Sequence, residues 1–152
     1  MPLGPMDDYL AHQTPETFDH VYTGDRAFYD RYYFGGYSPD GATYFVAALG
    51  VYPHLDLMDA AFMIQRAGIQ ESLIASRQLH SERLDTRVAP ISVEVLEPLR
   101  RLAVRVDPND HGIGADLVFE GLAAPIEEPR FIYRSGPRTI LDLTRMTQGG
   151  RW

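Results

Sequence analysis

Five carboxylates sit beside or within alternating apolar stretches of this chain: Asp30, Asp56, Asp59, Glu97 and Asp116. A carboxyl group held in an apolar cavity keeps its proton to higher pH and can protonate an alkene or an enol. Hydration of a double bond needs such an acid and a placed water. Each acid also has a plainer reading as a turn cap, a surface charge or a partner for Arg, and for Asp56 and Asp59, in His-Leu-Asp-Leu-Met-Asp, the loop reading wins. The histidines His12, His20, His54, His80 and His111 contain no helical i, i+4 pair and no His-Glu-x-x-His, so no metal site is expected. His54 follows an aromatic strand and is placed to reach a cavity mouth. Gly-x-Ser-x-Gly is absent, so there is no nucleophile elbow. Gly35-Gly36 has no helix after it and is no dinucleotide fingerprint. Glu127 and Glu128 are adjacent, and neighbours in an extended chain point apart, unlike the facing carboxyls of a glycosidase.

Composition removes further chemistry. The 152 residues include no cysteine, which excludes disulfides, thiolate nucleophiles and cysteine-bound metals. All fourteen basic residues are Arg, so Schiff-base chemistry and a P-loop lysine are excluded too. A net charge of −7 gives no attraction for phosphate backbones or anionic lipid, and nucleic acid is not an expected partner. No apolar run approaches the roughly 18 residues of a membrane span. The N-terminal MPLGPMDDYL carries neither a basic patch nor a long apolar run, so a cytoplasmic protein without a secretory leader is expected.

The elements that must position any site have a period of two. Residues 1–30 are expected to form an irregular arm, with Asp25 capping a short turn through Phe28 and Tyr29. A strand near Tyr32–Tyr37 leads through Ser38-Pro39-Asp40-Gly41 into a longer one near Ala42–Tyr52. That second strand is apolar on both faces, which predicts cover on both sides. Further strands are expected near Ala60–Ala67, Ile69–Arg77, Arg83–Val88, Ile91–Val95, Leu102–Val106 and Ile113–Phe119. Such a meander predicts an antiparallel sandwich or up-and-down barrel over residues 31–121. Residues 122–152 read as a Pro-punctuated linker and C-terminal segment. In it Ile140, Leu143 and Thr147 favour a short helix over a strand, and the only Trp comes last.

Asp30-Arg31-Tyr32-Tyr33-Phe34, the Pro-Asp-Gly turn and Ala42-Thr43-Tyr44-Phe45 resemble the opening strands of carotenoid-hydratase-like (hydroxyneurosporene-synthase-like) and AttH-like proteins. Val93-Glu94-Val95-Leu96-Glu97-Pro98-Leu99 and Asp116-Leu117-Val118-Phe119-Glu120 resemble an uncharacterised actinobacterial branch of that superfamily. The resemblance implies a lipocalin-like β-barrel or strongly curved sheet, the first of two, with the second barrel missing after Trp152. It also implies a bulky apolar ligand, isoprenoid- or polyketide-like, and cofactor-free hydratase or cyclase chemistry. Asp30, which begins the matching motif, is then the candidate acid.

The expected cavity wall is Tyr33, Tyr44 and Phe62, with Tyr52 and His54 near its mouth. Tyr offers apolar area and a hydroxyl that orients a ligand. The alternative is an interaction barrel with a filled core, whose surface around Phe131, Ile140 and Trp152 meets a second barrel or a second copy of the chain.

Overall fold

Alternation of large apolar and polar side chains builds two antiparallel sheets that share one core. The structure, a computed structural model, describes residues 8–9, 23–80, 82 and 84–152. Most of the expected N-terminal arm lies outside the described residues, as do His12, His20 and Arg83. The first sheet runs β1 (Asp30–Tyr37), β2 (Thr43–Tyr52), β3 (Leu57–Arg66) and β4 (Ile69–Gln78), each strand beside the next. The second begins with β5 (Arg87–Val88), β6 (Ile91–Glu97), β7 (Arg101–Val106) and β8 (Ala115–Gly121). The chain then leaves it for β9 (Ile126–Glu127), the hairpin β10 (Phe131–Ser135) and β11 (Arg138–Leu143), and β12 (Met146–Thr147), which pairs with β9. It returns as β13 (Gly150–Arg151) on the free side of β8.

The fold is therefore all-β and antiparallel, with two curved sheets that do not join into a closed barrel among the described residues. The expected C-terminal helix is a strand. Gly136, at φ +59°, lets the chain reverse between Ser135 and Arg138, and Thr139 and Ile140 are β-branched residues that suit the ladder with Phe131–Ser135. The same hairpin lies inside the stretch read as a linker.

Turn chemistry sets the register. Gly41 donates its N–H to the Ser38 carbonyl at 2.8 Å and takes φ +70° between β1 and β2. Ala67 and Gly68, both at positive φ, make the two-residue turn between β3 and β4 whose twist matches the strands. The resulting row Phe34–Ala47–Phe62–Leu73 crosses all four strands on the inner face. Phe62 is 1% exposed and stacks on Phe45 with ring centroids 6.0 Å apart. Ile91, Val93, Val104 and Val106 meet this face from the second sheet. The outer face of β2 departs from the expected double cover: Val46, Ala48 and Tyr52 are half-buried and Tyr44 is exposed.

Where the chain crosses between sheets, the Arg77 guanidinium donates to the carbonyls of Arg87 at 2.6 Å, Gln78 at 2.7 Å, Leu79 at 3.3 Å, and Asp85. Leu79, fully buried, donates its N–H to the Asp56 carbonyl at 3.1 Å. At the other end Asp25 makes the expected turn, with the Phe28 N–H on its carbonyl at 3.0 Å, and its carboxylate pairs with Arg138 of β11.

Two measurements check this account. Phe62→Ala removes a stacked ring between the sheets, and urea unfolding is expected to show a loss of about 3–5 kcal/mol. The Ala27 N–H and the Arg138 guanidinium hold the Asp25 carboxyl below its ordinary value, outweighing the opposing effect of desolvation. A carboxyl with a lowered folded pKa stabilises the fold above the unfolded value of about 3.9, and that contribution disappears as the pH falls through the folded pKa. Asp25→Asn is therefore expected to be less stable than the parent at neutral pH, with the gap closing in urea melts taken below about pH 4.

Candidate functional site

Edge strand β1 has a hydrogen-bonded side and an open side. Ser38 donates to the Thr43 carbonyl at 2.9 Å, which makes the even-numbered positions of β1 the hydrogen-bonded pairs with β2. The peptide groups of Arg31, Tyr33, Gly35 and Tyr37 consequently turn away from the sheet. They face a groove of about 1110 Å³ that separates β1 from residues 143–152 of the returning chain.

One indole spans this groove at its inner end. Trp152 Nε1 donates to the Gly35 carbonyl at 3.2 Å. Its ring meets Phe34 edge-on at 5.7 Å, Phe45 edge-on at 5.2 Å and Phe119 at 5.2 Å between centroids. The first two rings belong to one sheet and the third to the other. Two glycines make the approach possible. A Cβ on Gly36 would lie 2.4 Å from the Phe45 ring and 2.8 Å from the Trp152 ring, and a Cβ on Gly150 would lie 2.3 Å from the Glu120 carbonyl oxygen.

The groove's charged side chains stand on both walls. Asp30 lies on the inner face of β1, 8% exposed, and its carboxylate accepts the Arg31 N–H at 2.8 Å. Beside it the Tyr32 hydroxyl donates to the Asp8 carbonyl at 2.5 Å, and the buried Asp8 carboxylate accepts the Leu99 N–H. On the opposite wall Arg145 lies over the Phe131 ring at 5.0 Å and pairs with Glu128 at 3.0 Å. The site thus offers the Asp8 and Asp30 carboxyl groups on one wall, an Arg145–Glu128 pair on the other, and aromatic rings between. Among the described residues no group of three or more His, Asp or Glu is arranged to hold a metal ion.

The residues expected to form one cavity are divided among several places. Tyr33 and Tyr44 occupy outward positions of β1 and β2, 63% and 37% exposed, while Phe62 points inward, so these three do not share a wall. The reason is the strict alternation of a strand: Phe62 lies opposite Ala47, a position out of phase with Tyr33 and Tyr44. Tyr33 still reaches the rim of the groove. Tyr52 is outward and half-buried, and burial together with the neighbouring Asp59 carboxylate pushes its phenol above the ordinary value. His54 is exposed in the short 3-10 turn Pro53–Leu55, with Nε2 2.6 Å from the Thr23 carbonyl oxygen, and it does not line the groove. Phe131 lines the groove, Ile140 is half-buried on β11, and Trp152 turns onto its own chain instead of standing free as an anchor for another. Gly36, Gly150, Phe119 and Arg145 were not singled out by sequence reasoning. The two Gly-Gly pairs were the available signal, since paired glycines on strands mark close approach as well as turns.

A two-sheet antiparallel sandwich with an aromatic groove along one flank is the class of protein that this geometry defines. The chain belongs to a Family of unknown function (DUF8625), whose model matches residues 3–152. Comparisons with curated proteins and with solved structures find no match.

Because Trp152 is the sole Trp, its fluorescence reports the groove directly. Gly36→Val is expected to displace the indole, moving its emission to longer wavelength and lowering the unfolding midpoint. Gly41→Asn, at an open turn position with φ +70°, is the matched control and should leave the emission unchanged.

Proposed function

We propose that this chain is a binding module for a bulky apolar small molecule, held in the flank groove between β1 and residues 143–152. The observation that carries the reading is an open groove of about 1110 Å³ in which a run of aromatic rings, Tyr29, Tyr32, Phe34, Phe119, Phe131 and Trp152, is interspersed with charged and polar groups. Small-molecule sites are typically concave, mostly apolar clefts of about 300–1,000 Å³ with a small number of placed polar groups. The resemblance of Asp30–Phe45 to carotenoid-hydratase-like and AttH-like proteins supports an isoprenoid- or polyketide-like ligand taken up in the cytoplasm. The stacked core between the sheets argues against a ligand held there, as in a hollow barrel.

If the module also acts on its ligand, Asp30, which begins the motif of the resemblance, is the groove acid we assign to it. Its carboxyl proton would pass to one alkene carbon, water would add to the other, and the adding water's extra proton would return to the carboxylate. This is hydration without a cofactor. Tyr32, beside Asp30, would orient the polar end of such a ligand.

Titration with farnesol, followed by Trp152 fluorescence and calorimetry, tests the binding reading. Saturable binding at one site per chain is expected, with Phe34→Ala weakening it about tenfold or more, the equivalent of 1.4 kcal/mol or more of lost apolar contact. Absence of saturable binding by farnesol and by a longer polyene alcohol such as retinol would overturn it. Asp30→Asn separates binding from chemistry, because it should preserve affinity while abolishing any hydrated product seen by mass spectrometry.

A further inference from the structure

The two outer faces of the sandwich differ in kind. On the second sheet, Arg105 bridges Glu94 at 2.6 Å and Asp116 at 3.4 Å, and Arg101, Glu120 and Arg87 extend the charged face. Such a face is at home in water. The outer face of β1–β4 carries only two charged side chains, Arg31 and Asp59. Its apolar positions, Tyr33, Tyr37, Tyr44, Val46 and Met63, gather on β1 to β3, while β4 presents Gln70, Ser72, Ser76 and Gln78 around Ile74; Tyr37 and Ile74 are 79% and 78% exposed. Exposed apolar patches of this extent mark interaction surfaces.

We propose that this face is the contact between two copies of the chain, related by a two-fold axis that runs along β2. Charge is the first reason. The chain carries a net −7, yet this face sums to zero, so it is the side on which two copies meet with least repulsion. The register supplies the second. Arg31, Gly50 and Asp59 form one row across β1, β2 and β3, and the next rows are Tyr33, Ala48, Ala61 and Gly35, Val46, Met63. A two-fold axis along β2 exchanges the β1 and β3 positions of every row. Arg31 of each copy then faces Asp59 of the other, Tyr33 faces Ala61, and Met63 faces Gly35. Opposite charges meet in the first row, and in the next two a large side chain meets a small one; in the last row Tyr37 meets Gln65 and Tyr44 meets its own copy across the axis. Gly50 and Ala48, on the axis, keep the centre low enough for the sheets to close.

Size is the third reason. Rotation about β2 overlaps three strands, β1 to β3, and at about 4.8 Å between strands and about ten residues of 3.4 Å these present a face of about 490 Å² before side-chain relief. That is about three-fifths of the ~800 Å² per partner of a standard interface, and the protruding Tyr33, Tyr44 and Met63 side chains add to it. Arg31 and Asp59 make no ion pair within the chain among the described residues; Asp59 shares a hydrogen bond with the Tyr52 hydroxyl and Arg31 lies 5.5 Å from the Tyr29 ring centroid, so the contact between copies would add an ion pair to these neighbours. The inference does not require the ligand proposed for the groove, although Arg31, Tyr33 and Tyr37 border both.

Analytical ultracentrifugation of the full chain over a range of concentrations tests it. The parent is expected to sediment at twice 17.1 kDa. Arg31→Asp and Asp59→Arg, each alone, are expected to weaken association at least tenfold, and the two together to restore it. Asp59 is packed against Gly50 and Tyr52, so its reversal carries a folding risk that thermal unfolding would reveal. Tyr33→Glu avoids that risk: it changes an exposed side chain and should give a monomer with an unchanged unfolding midpoint. A parent that stays at 17.1 kDa throughout, or a dimer that Tyr33→Glu leaves intact, would overturn the proposal.

Discussion

The fold rests on how one open flank is closed. Two sheets facing each other need their inner faces sealed from water along both sides. On one side the chain itself crosses from β4 to β5, with the Arg77 guanidinium collecting the carbonyls of the crossing segment. On the other side β1 and β13 are both edges and are not paired with each other. An indole takes the place of the missing ladder. It satisfies a carbonyl on the edge of β1 while its ring touches Phe34 and Phe45 of one sheet and Phe119 of the other. An aromatic ring with a single donor suits this position, because most of its surface is apolar and only its N–H needs a partner.

This manner of closure produces the groove. A hydrogen-bonded seam would bring β1 and β13 to about 4.8 Å, leaving no room between them. A wedge of side chains holds them apart, and the space beyond the wedge is lined by whatever faces the gap. On β1 these are the inward positions Asp30, Tyr32 and Phe34 and the outward-turned peptide groups of the odd residues. The β10–β11 hairpin and β12 supply the far wall, anchored to residues 23–25 through Asp25–Arg138 and through the Thr23 hydroxyl on the Thr139 carbonyl at 3.0 Å. Candidate chemistry and architectural necessity therefore occupy the same flank.

Much of this was legible in the sequence. Alternation alone groups Phe45, Ala47, Leu49 and Val51 on one face and Ala60, Phe62 and Ile64 on one face, though not which face is inward, and the turns at Ser38–Gly41 and Ala67–Gly68 follow from backbone sterics. Two kinds of information were not. The spacing of Ile140, Leu143 and Thr147 satisfies a helix as well as a strand in so short a segment, and the pairing of β11 with Phe131–Ser135 decides the matter through contacts outside the window. The candidate wall of Tyr33, Tyr44 and Phe62 failed because aromatic content was weighed without comparing phase across three strands, which requires the inter-strand register. The role of Trp152 depends on residues more than a hundred positions away, and no local pattern signals it.

The fit around Gly36, Gly150 and Trp152 has a consequence for how related chains can diverge. Each glycine leaves room that a neighbouring ring or carbonyl occupies, so a side chain at either would collide before anything else in the sheet moved. At position 36 the obstacles are the Phe45 and Trp152 rings, and at position 150 they are the Glu120 carbonyl and the Phe119 ring. Inheritance should therefore keep Gly36 wherever Phe45 and Trp152 are kept, and Gly150 wherever Phe119 is kept, while the charged outer face of the second sheet drifts freely from one relative to the next.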